Sequence, residues 1–224
     1  MNKTKGLTFG ILAGFIYGFT PILGKLTYLE GSNPISLTFY RNLLSIPFFF
    51  VMLKYNNVPL KVTKSQTKQL AILGLLASAT ALSLYGSYNY ISVGMSTTIH
   101  YIYPVLVTAA CIIIFGEKIS RDKVVSLILS TMGITLFFEG SINITGILIA
   151  FMSGVFFAGY ILFMDKSGLN TIYQFKITFY TAAFSSMYLF IFGVISKNLV
   201  FTMTFKGWFF TVLVAVFVSF LANT

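Results

Sequence analysis

Long apolar segments alternate with short polar segments along the whole of this 224-residue chain. Windows of about 19 residues, the length suited to helices that cross a bilayer, find about eight such segments. The pattern therefore predicts an all-α fold, a polytopic membrane helical bundle of about eight transmembrane helices. The predicted helices lie near residues 7–28, 34–53, 69–92, 95–115, 124–139, 144–164, 175–196 and 207–224.

The composition agrees with a membrane protein. Hydrophobic residues make up 57% of the chain and charged residues only 9%, whereas a soluble domain carries about 25% charged residues. A surface with so few charges is expected to face lipid, so the lipid bilayer is the first predicted partner. The lone Cys111 lies inside an apolar segment and indicates neither a disulfide framework nor a redox compartment.

The distribution of the cations predicts the orientation. The chain has 15 Lys and Arg against 5 Asp and Glu, but the cations occur in short loops and never form a basic domain, so no nucleic acid is expected as a partner. With a cytoplasmic N-terminus, the inner segments hold 11 cations and the outer loops hold Lys25, Lys197 and Lys206. Such a bias is typical of cytoplasmic loops. It predicts a multi-pass protein of the cytoplasmic (inner) membrane with its N-terminus in the cytoplasm.

The chain aligns with itself when residue 37 is placed on residue 177, and we call this alignment the repeat register. Residues 37–40 (Leu-Thr-Phe-Tyr) then meet residues 177–180 (Ile-Thr-Phe-Tyr), and Ser45 meets Ser185 without a gap. The same register aligns two stripes of small residues with a spacing of four, which puts each stripe on one helix face where a second backbone can approach closely. The stripes are Gly6, Gly10, Gly14 and Gly18, and Gly146, Ala150, Gly154 and Ala158.

The repeat predicts an inverted topology. A unit of five helices is odd, so the second copy must enter the membrane from the opposite side, an arrangement typical of secondary transporters. We predict a first repeat at residues 1–141 and an incomplete second repeat at 142–224, because Thr224 corresponds to Leu84 in the third helix. The chain is therefore expected to be a fragment of a ten-helix protein.

Several motifs occur in a recognisable order. The small-residue first helix is followed by Pro34 to Arg41 in the second, by Thr97-Thr98 and then residues 103–105 (Tyr-Pro-Val) in the fourth, and by residues 116–120 (Gly-Glu-Lys-Ile-Ser) leading to Gly133-Ile134. Together they resemble the EamA-type branch of the drug/metabolite transporter (DMT) superfamily. The resemblance implies ten helices in two inverted repeats, cytoplasmic termini, and export or exchange of amino acids, other metabolites or toxic compounds.

Polar residues at depth are the candidates for substrate binding. Arg41 is the charged side chain placed well inside a predicted span, where a cation usually faces a cavity or a partner. It could attract an anionic group of a substrate, or instead snorkel toward the headgroups. His100 lies at a comparable predicted depth and could contact substrate or only pack between helices. The predicted substrate-binding residues are Arg41, His100, Tyr17, Tyr40, Tyr88, Asn89 and Tyr103.

Other classes of function are less well supported by the sequence. An intramembrane enzyme would need a nucleophile, an acid or a metal cluster at depth, but the chain has one His, one Cys and five acids near predicted membrane edges. We therefore predict no enzyme activity, no metal and no cofactor. The predicted function is secondary transport of small metabolites by alternating access. A structural or non-transporting fragment that associates with partner helices, a channel, and assembly into a homo-oligomer stay open.

Overall fold

The computed structural model describes residues 18–116 and 143–220, with isolated positions at 14, 124, 125, 127, 128 and 132. Within these parts the chain is helical and contains no strand. The helices, numbered along the chain, are α1 (18–29), α2 (Pro34–Tyr55), α3 (Lys64–Ser87), α4 (Val93–His100), α5 (Tyr103–Ile113), α6 (Ile144–Lys166), α7 (Gln174–Ile195) and α8 (Phe205–Leu213). A 3-10 turn at Leu169–Thr171 precedes α7, and α8 continues as a π-helix over Val214–Phe220.

The predicted membrane bundle is confirmed. By length and composition, α2, α3, α6 and α7 can each cross a membrane, as can α4 and α5 together over Val93–Ile113. The apolar helix Phe205–Phe217 is shorter. Most of the predicted helix 124–139 lies outside the described residues, and its five described positions are helical.

The third helix differs from its predicted bounds of 69–92. It begins at Lys64 because Thr63 caps it: the Thr63 Oγ1 accepts the Gln66 N–H at 3.2 Å, and the Gln66 Oε1 accepts the Thr63 N–H at 2.9 Å. This reciprocal pair satisfies two N–H groups at the helix start. It extends the helix into a polar segment that a hydropathy window excludes. The helix ends at Ser87, and Ser92 caps the next one by accepting the Met95 N–H.

The predicted single helix 95–115 is two helices. α4 ends at His100, residues 101–102 form a turn, and α5 starts with Pro104 in its first turn. Proline has no N–H, so it cannot bond the carbonyl of the residue four positions earlier, here His100. Just before the break, the Ile102 N–H bonds the Ile99 carbonyl three positions earlier, at 3.1 Å, which tightens the chain there.

The helices form two compact units. The first unit comprises Met1–Ser78 and Leu169–Thr224, and the second comprises Ala79–Gly168. The first therefore contains α1, α2, the first part of α3, α7 and α8, and the second contains the rest of α3 with α4, α5 and α6. Each unit combines helices from both predicted repeats. The repeat boundary near residue 141 stays a prediction.

In the first unit, α2 and α7 pack against each other in opposite directions. The Phe39 and Phe190 rings lie 5.8 Å apart, and the Phe50 and Phe179 rings lie 6.4 Å apart, measured between centroids. As the residue number rises along α2 it falls along α7, so the helices are antiparallel. The repeat register converts each of these ring pairs into the other.

Two tyrosines make contacts that the same register exchanges. The Tyr40 hydroxyl donates to the Val200 carbonyl at 3.1 Å, and the Tyr180 hydroxyl donates to the Leu60 carbonyl at 2.6 Å. Each helix thus binds the loop that follows the other helix. Reciprocal contacts of this kind, residue i to j and j to i, characterise a two-fold arrangement. Here the two-fold relation is internal to one chain.

The backbone also repeats where the side chains differ. Both α2 and α7 end in a Schellman motif, with Asn57 at φ 53° and Lys197 at φ 55°. Val58 N–H bonds Leu53 O at 2.9 Å, and Asn198 N–H bonds Gly193 O at 3.0 Å. The position after the helix cap in this motif favours glycine, because a side chain is strained at positive φ.

Replacing the strained lysine should stabilise the protein. We expect Lys197→Gly to raise the free energy of unfolding by about 1 kcal/mol, since glycine removes the penalty of the left-handed conformation. Asn57→Gly is the matched control and should gain less, because asparagine tolerates that conformation better. Chemical unfolding in detergent micelles measures both; a loss of stability in Lys197→Gly would contradict the expectation.

Candidate substrate-binding site

The small-residue face of α6 positions the site in the second unit. Gly146, Ala150, Gly154 and Ala158 are all buried, and a Cβ built on Gly146 would lie 2.7 Å from the Tyr90 Cβ. A Cβ on Gly154 would lie 3.1 Å from both the His100 carbonyl oxygen and the Ile102 Cγ2. The predicted close approach at this stripe is therefore observed, and the neighbour is the segment that contains α4 and the helix break.

The first stripe differs from this expectation. Gly6 and Gly10 lie outside the described residues. Gly14 and Gly18 are exposed, and within the described parts of the chain no atom lies within 4 Å of a Cβ built on either. The expectation that this face is in close contact with another backbone is not met at these two positions.

His100 is held in one orientation by α6. Its Nδ1 lies 2.9 Å from the Ser153 Oγ, and the Ser153 hydroxyl donates to the Ala150 carbonyl at 2.5 Å. A serine has one hydroxyl proton, so the Nδ1–H of the imidazole is the donor in the His100–Ser153 bond. The Nδ1 edge of the imidazole is therefore held against α6, in a residue that is 8% exposed.

Aromatic rings surround the imidazole. The rings of Tyr101, Tyr103 and Phe157 lie 6.0, 5.6 and 5.3 Å from the His100 ring. Tyr103 and Phe157 meet edge to face at 4.6 Å, and Phe157 stacks on Tyr160 at 6.0 Å. Such rings combine apolar area with polar hydroxyls. We call His100, Tyr101, Tyr103 and Phe157 the histidine cluster.

Two members of this cluster are absent from the predicted substrate-binding residues: Tyr101, which directly follows His100 in the sequence, and Phe157 on α6. Phe157 follows Ser153 by four residues, which places it one turn further along the same face of α6. The signal was available only once Ser153 was known to bond His100. A phenylalanine in an apolar helix is otherwise indistinguishable from a packing residue.

The helix break adds a backbone acceptor to the cluster. Pro104 leaves the His100 carbonyl without its usual helical donor, and the glycine hydrogen at Gly154 faces that oxygen where any other residue would place a Cβ. A Cα–H···O contact there is a weak hydrogen bond. Broken helices with exposed carbonyls at membrane depth are typical of transporter binding sites.

A second polar atom on α4 is also relevant. Ser96 is fully buried, and its Oγ has no hydrogen-bond partner within the described chain. It lies one turn before His100, on the same helix face. An unpaired buried hydroxyl costs about 1–3 kcal/mol, and a bound water or polar ligand group would remove that cost.

The other predicted site residues are divided between the units. In the second unit, Tyr103 is part of the histidine cluster, and Tyr88 is buried with its ring 5.6 Å from that of Tyr85. Asn89 lies in the turn that ends α3 and is exposed. Tyr17 lies outside the described residues.

Tyr40 and Arg41 belong to the first unit. The Tyr40 ring packs edge to face on Trp208 at 4.8 Å, and its hydroxyl is bound to the loop after α7. Arg41 is half-buried on α2. Its counterpart in the repeat, Thr181, is 7% exposed, and the Thr181 Oγ1 has no hydrogen-bond partner within the described chain.

The apolar spanning helices and the two-fold related pair define the class: a polytopic α-helical membrane protein. Residues 4–139, more than half of the chain, match the family model of the EamA-like transporter family. The chain belongs to this family of membrane transporters, and the resemblance drawn from its motifs is confirmed. Comparison with curated proteins gives no significant match.

The contact at Gly154 can be tested by adding one methyl group. In Gly154→Ala the new Cβ would press on the backbone of the helix break, so we expect a loss of about 1–3 kcal/mol in the free energy of unfolding. Gly94→Ala, on α4 with no atom within 4 Å of its built Cβ, is the control. It should be neutral or gain up to about 1 kcal/mol from helix propensity. Equal stabilities of the two variants in detergent unfolding would contradict the packing described here.

Proposed function

We propose that this protein is a secondary transporter, an exporter or exchanger, that moves small metabolites such as amino acids across the cytoplasmic membrane by alternating access. Membership of the EamA-like transporter family supports membrane transport. The charge distribution supports a cytoplasmic N-terminus, because the inner segments then hold most of the cations.

The reciprocal packing of α2 and α7 is the observation on which this proposal rests. The ring pairs and the two tyrosine hydrogen bonds are exchanged by the repeat register, and the helices run in opposite directions. Two similar halves of opposite orientation can exchange conformations and open a shared site to each side in turn. The two states then have similar energies, because each half can adopt the conformation of the other.

The histidine cluster is the proposed contact for the substrate in the second unit. It offers an imidazole whose Nδ1 edge is held by Ser153, together with tyrosine hydroxyls and aromatic ring faces. This combination suits a molecule with both polar and apolar parts. Arg41 is the proposed anion contact in the first unit, and snorkelling toward the headgroups is the competing role for its side chain.

One observation favours a different function, that of a non-transporting membrane protein that associates with partner helices. Gly14 and Gly18 are exposed, whereas Gly154 and Ala158, their counterparts on α6, are buried. An exposed small-residue face permits close packing of another helix. Such a protein would fold and associate in the membrane without moving a substrate.

Labelling of the two loops tests the inverted arrangement. In a Cys111→Ser background, we expect Asn56→Cys and Thr202→Cys to react with a membrane-impermeant maleimide from opposite sides of the membrane, because α2 and α7 are antiparallel. Reaction of both cysteines from the same side of intact cells and inverted vesicles would contradict the two-fold arrangement. Ile113→Cys, at the end of α5, is the control that shows how a cysteine outside both loops is labelled.

Substrate exchange in proteoliposomes tests transport itself. We expect the chain to exchange a labelled amino acid, and Arg41→Ala to reduce exchange by tenfold or more, since loss of a charge-assisted contact costs about 1.5–3 kcal/mol. Lys206→Ala removes an exposed cation outside the site and should leave exchange unchanged. Full exchange by folded Arg41→Ala would remove Arg41 from the site, and no exchange by the parent chain across the common metabolite classes would favour the non-transporting protein.

A further inference from the structure

Five lysines meet at one end of the first unit. Lys54 lies in the last turn of α2, Lys61 in the loop that follows, Lys64 and Lys68 in the first turns of α3, and Lys176 in the first turn of α7. We call these five residues the lysine end. Contacts within the unit connect these elements: the Tyr180 hydroxyl donates to the Leu60 carbonyl, and the Lys176 ammonium donates to the Lys61 carbonyl, both at 2.6 Å.

The unit supplies no opposite charge to this end. Glu30 is the only acidic residue in the sequence of residues 1–78 and 169–224. It lies beside the start of α8, where its carboxylate accepts the Thr204 hydroxyl at 2.5 Å. The N-termini of α3 and α7 add partial positive charge to the lysine end. At α7 the capping residue Tyr173 makes no side-chain hydrogen bond to the first turn.

Lys176 is the residue that most needs a counterion. Lys176 is only 8% exposed, and its ammonium donates to the backbone carbonyl of Lys61. An ammonium has three donors, and a buried cation is costly unless an anion or several acceptors satisfy it. A negatively charged group placed beside Lys61 and Lys176 would supply both the charge and the acceptors.

The internal repeat shows that the fold does not require this charge. The counterpart of Lys176 is Ser36, a neutral residue whose Oγ accepts the Val200 N–H at 2.8 Å. The helix ends before the two loops have the same left-handed residue and the same capping hydrogen bond. A neutral side chain therefore holds the equivalent loop, and the buried lysine is an additional feature of one end.

Orientation of the protein alone does not explain a buried lysine, because exposed loop cations already produce the positive-inside bias. The lysines lie at the ends of helices that are long and apolar enough to span a membrane, and clustered cations at such positions attract anionic lipids. We propose that the lysine end binds the phosphate of an anionic phospholipid headgroup, with Lys176 and Lys61 as its direct contacts. The site does not depend on whether the protein transports a substrate.

Native mass spectrometry of the protein released from an uncharged detergent tests this proposal. Titration with phosphatidylglycerol should give a saturable adduct, and phosphatidylcholine with the same acyl chains should bind at least tenfold more weakly. Removal of each contact lysine should weaken phosphatidylglycerol binding about fivefold. The variants are Lys176→Gln and, should that variant not fold, the exposed pair Lys61→Gln with Lys64→Gln.

Lys197→Gln with Lys206→Gln is the matched control, because these lysines flank the equivalent loop at the other end of the helix pair. It should leave phosphatidylglycerol binding unchanged. Equal binding of the two lipids, or an equal loss in the control, would overturn the proposal. Loss of the phosphatidylglycerol adduct on addition of millimolar inorganic phosphate would also overturn the proposal. The site would then prefer free phosphate to the phosphate of the lipid headgroup.

Discussion

The antiparallel packing of α2 against α7 is the constraint on which the first unit depends. Each helix binds the loop that follows the other, through a tyrosine hydroxyl and a backbone carbonyl. Backbone groups near the membrane need such partners, because lipid offers none. The same contacts fix the two loops and thereby the starts of α3 and α8. The packing of α2 against α7 thus fixes where the chain turns back after each of these helices.

The second unit is organised by a matched pair of residues on different helices. Pro104 breaks the fourth spanning segment by removing one donor, and Gly154 gives the resulting carbonyl room to approach α6. Ser153 on the same helix orients His100. Gly154, which contacts the helix break, and Ser153, which orients His100, are therefore adjacent residues of α6. A substitution at Pro104 or Gly154 would therefore act on the histidine cluster.

The two ends of the α2 and α7 pair share a backbone and differ in chemistry. Asn57 and Lys197 have the same left-handed conformation, and Tyr40 and Tyr180 make equivalent bonds. In contrast, Lys176 is a buried cation where Ser36 is neutral. Backbone geometry is what the inverted repeat preserves, because that geometry closes the helix pair. Charge is free to differ, and it does differ between the two ends of the helix pair.

Hydropathy alone determined the class of protein, because the thickness of the bilayer sets the length of an apolar helix, and the repeat register identified α2 and α7 as counterparts. The sequence also selected His100 and Tyr103, which lie together. It did not assign Phe157, whose place in the cluster depends on a packing contact. The early start of α3 and the helix break do have local signals, the capping pair Thr63 and Gln66 and the residue Pro104, but a hydropathy window does not detect them. Depth along a helix placed Arg41 and His100 at a similar level, yet they belong to different units. Only the tertiary structure decided the partners, because the bonds of Tyr40 and Tyr180 join positions 160 and 120 residues apart, a separation over which no local pattern carries information.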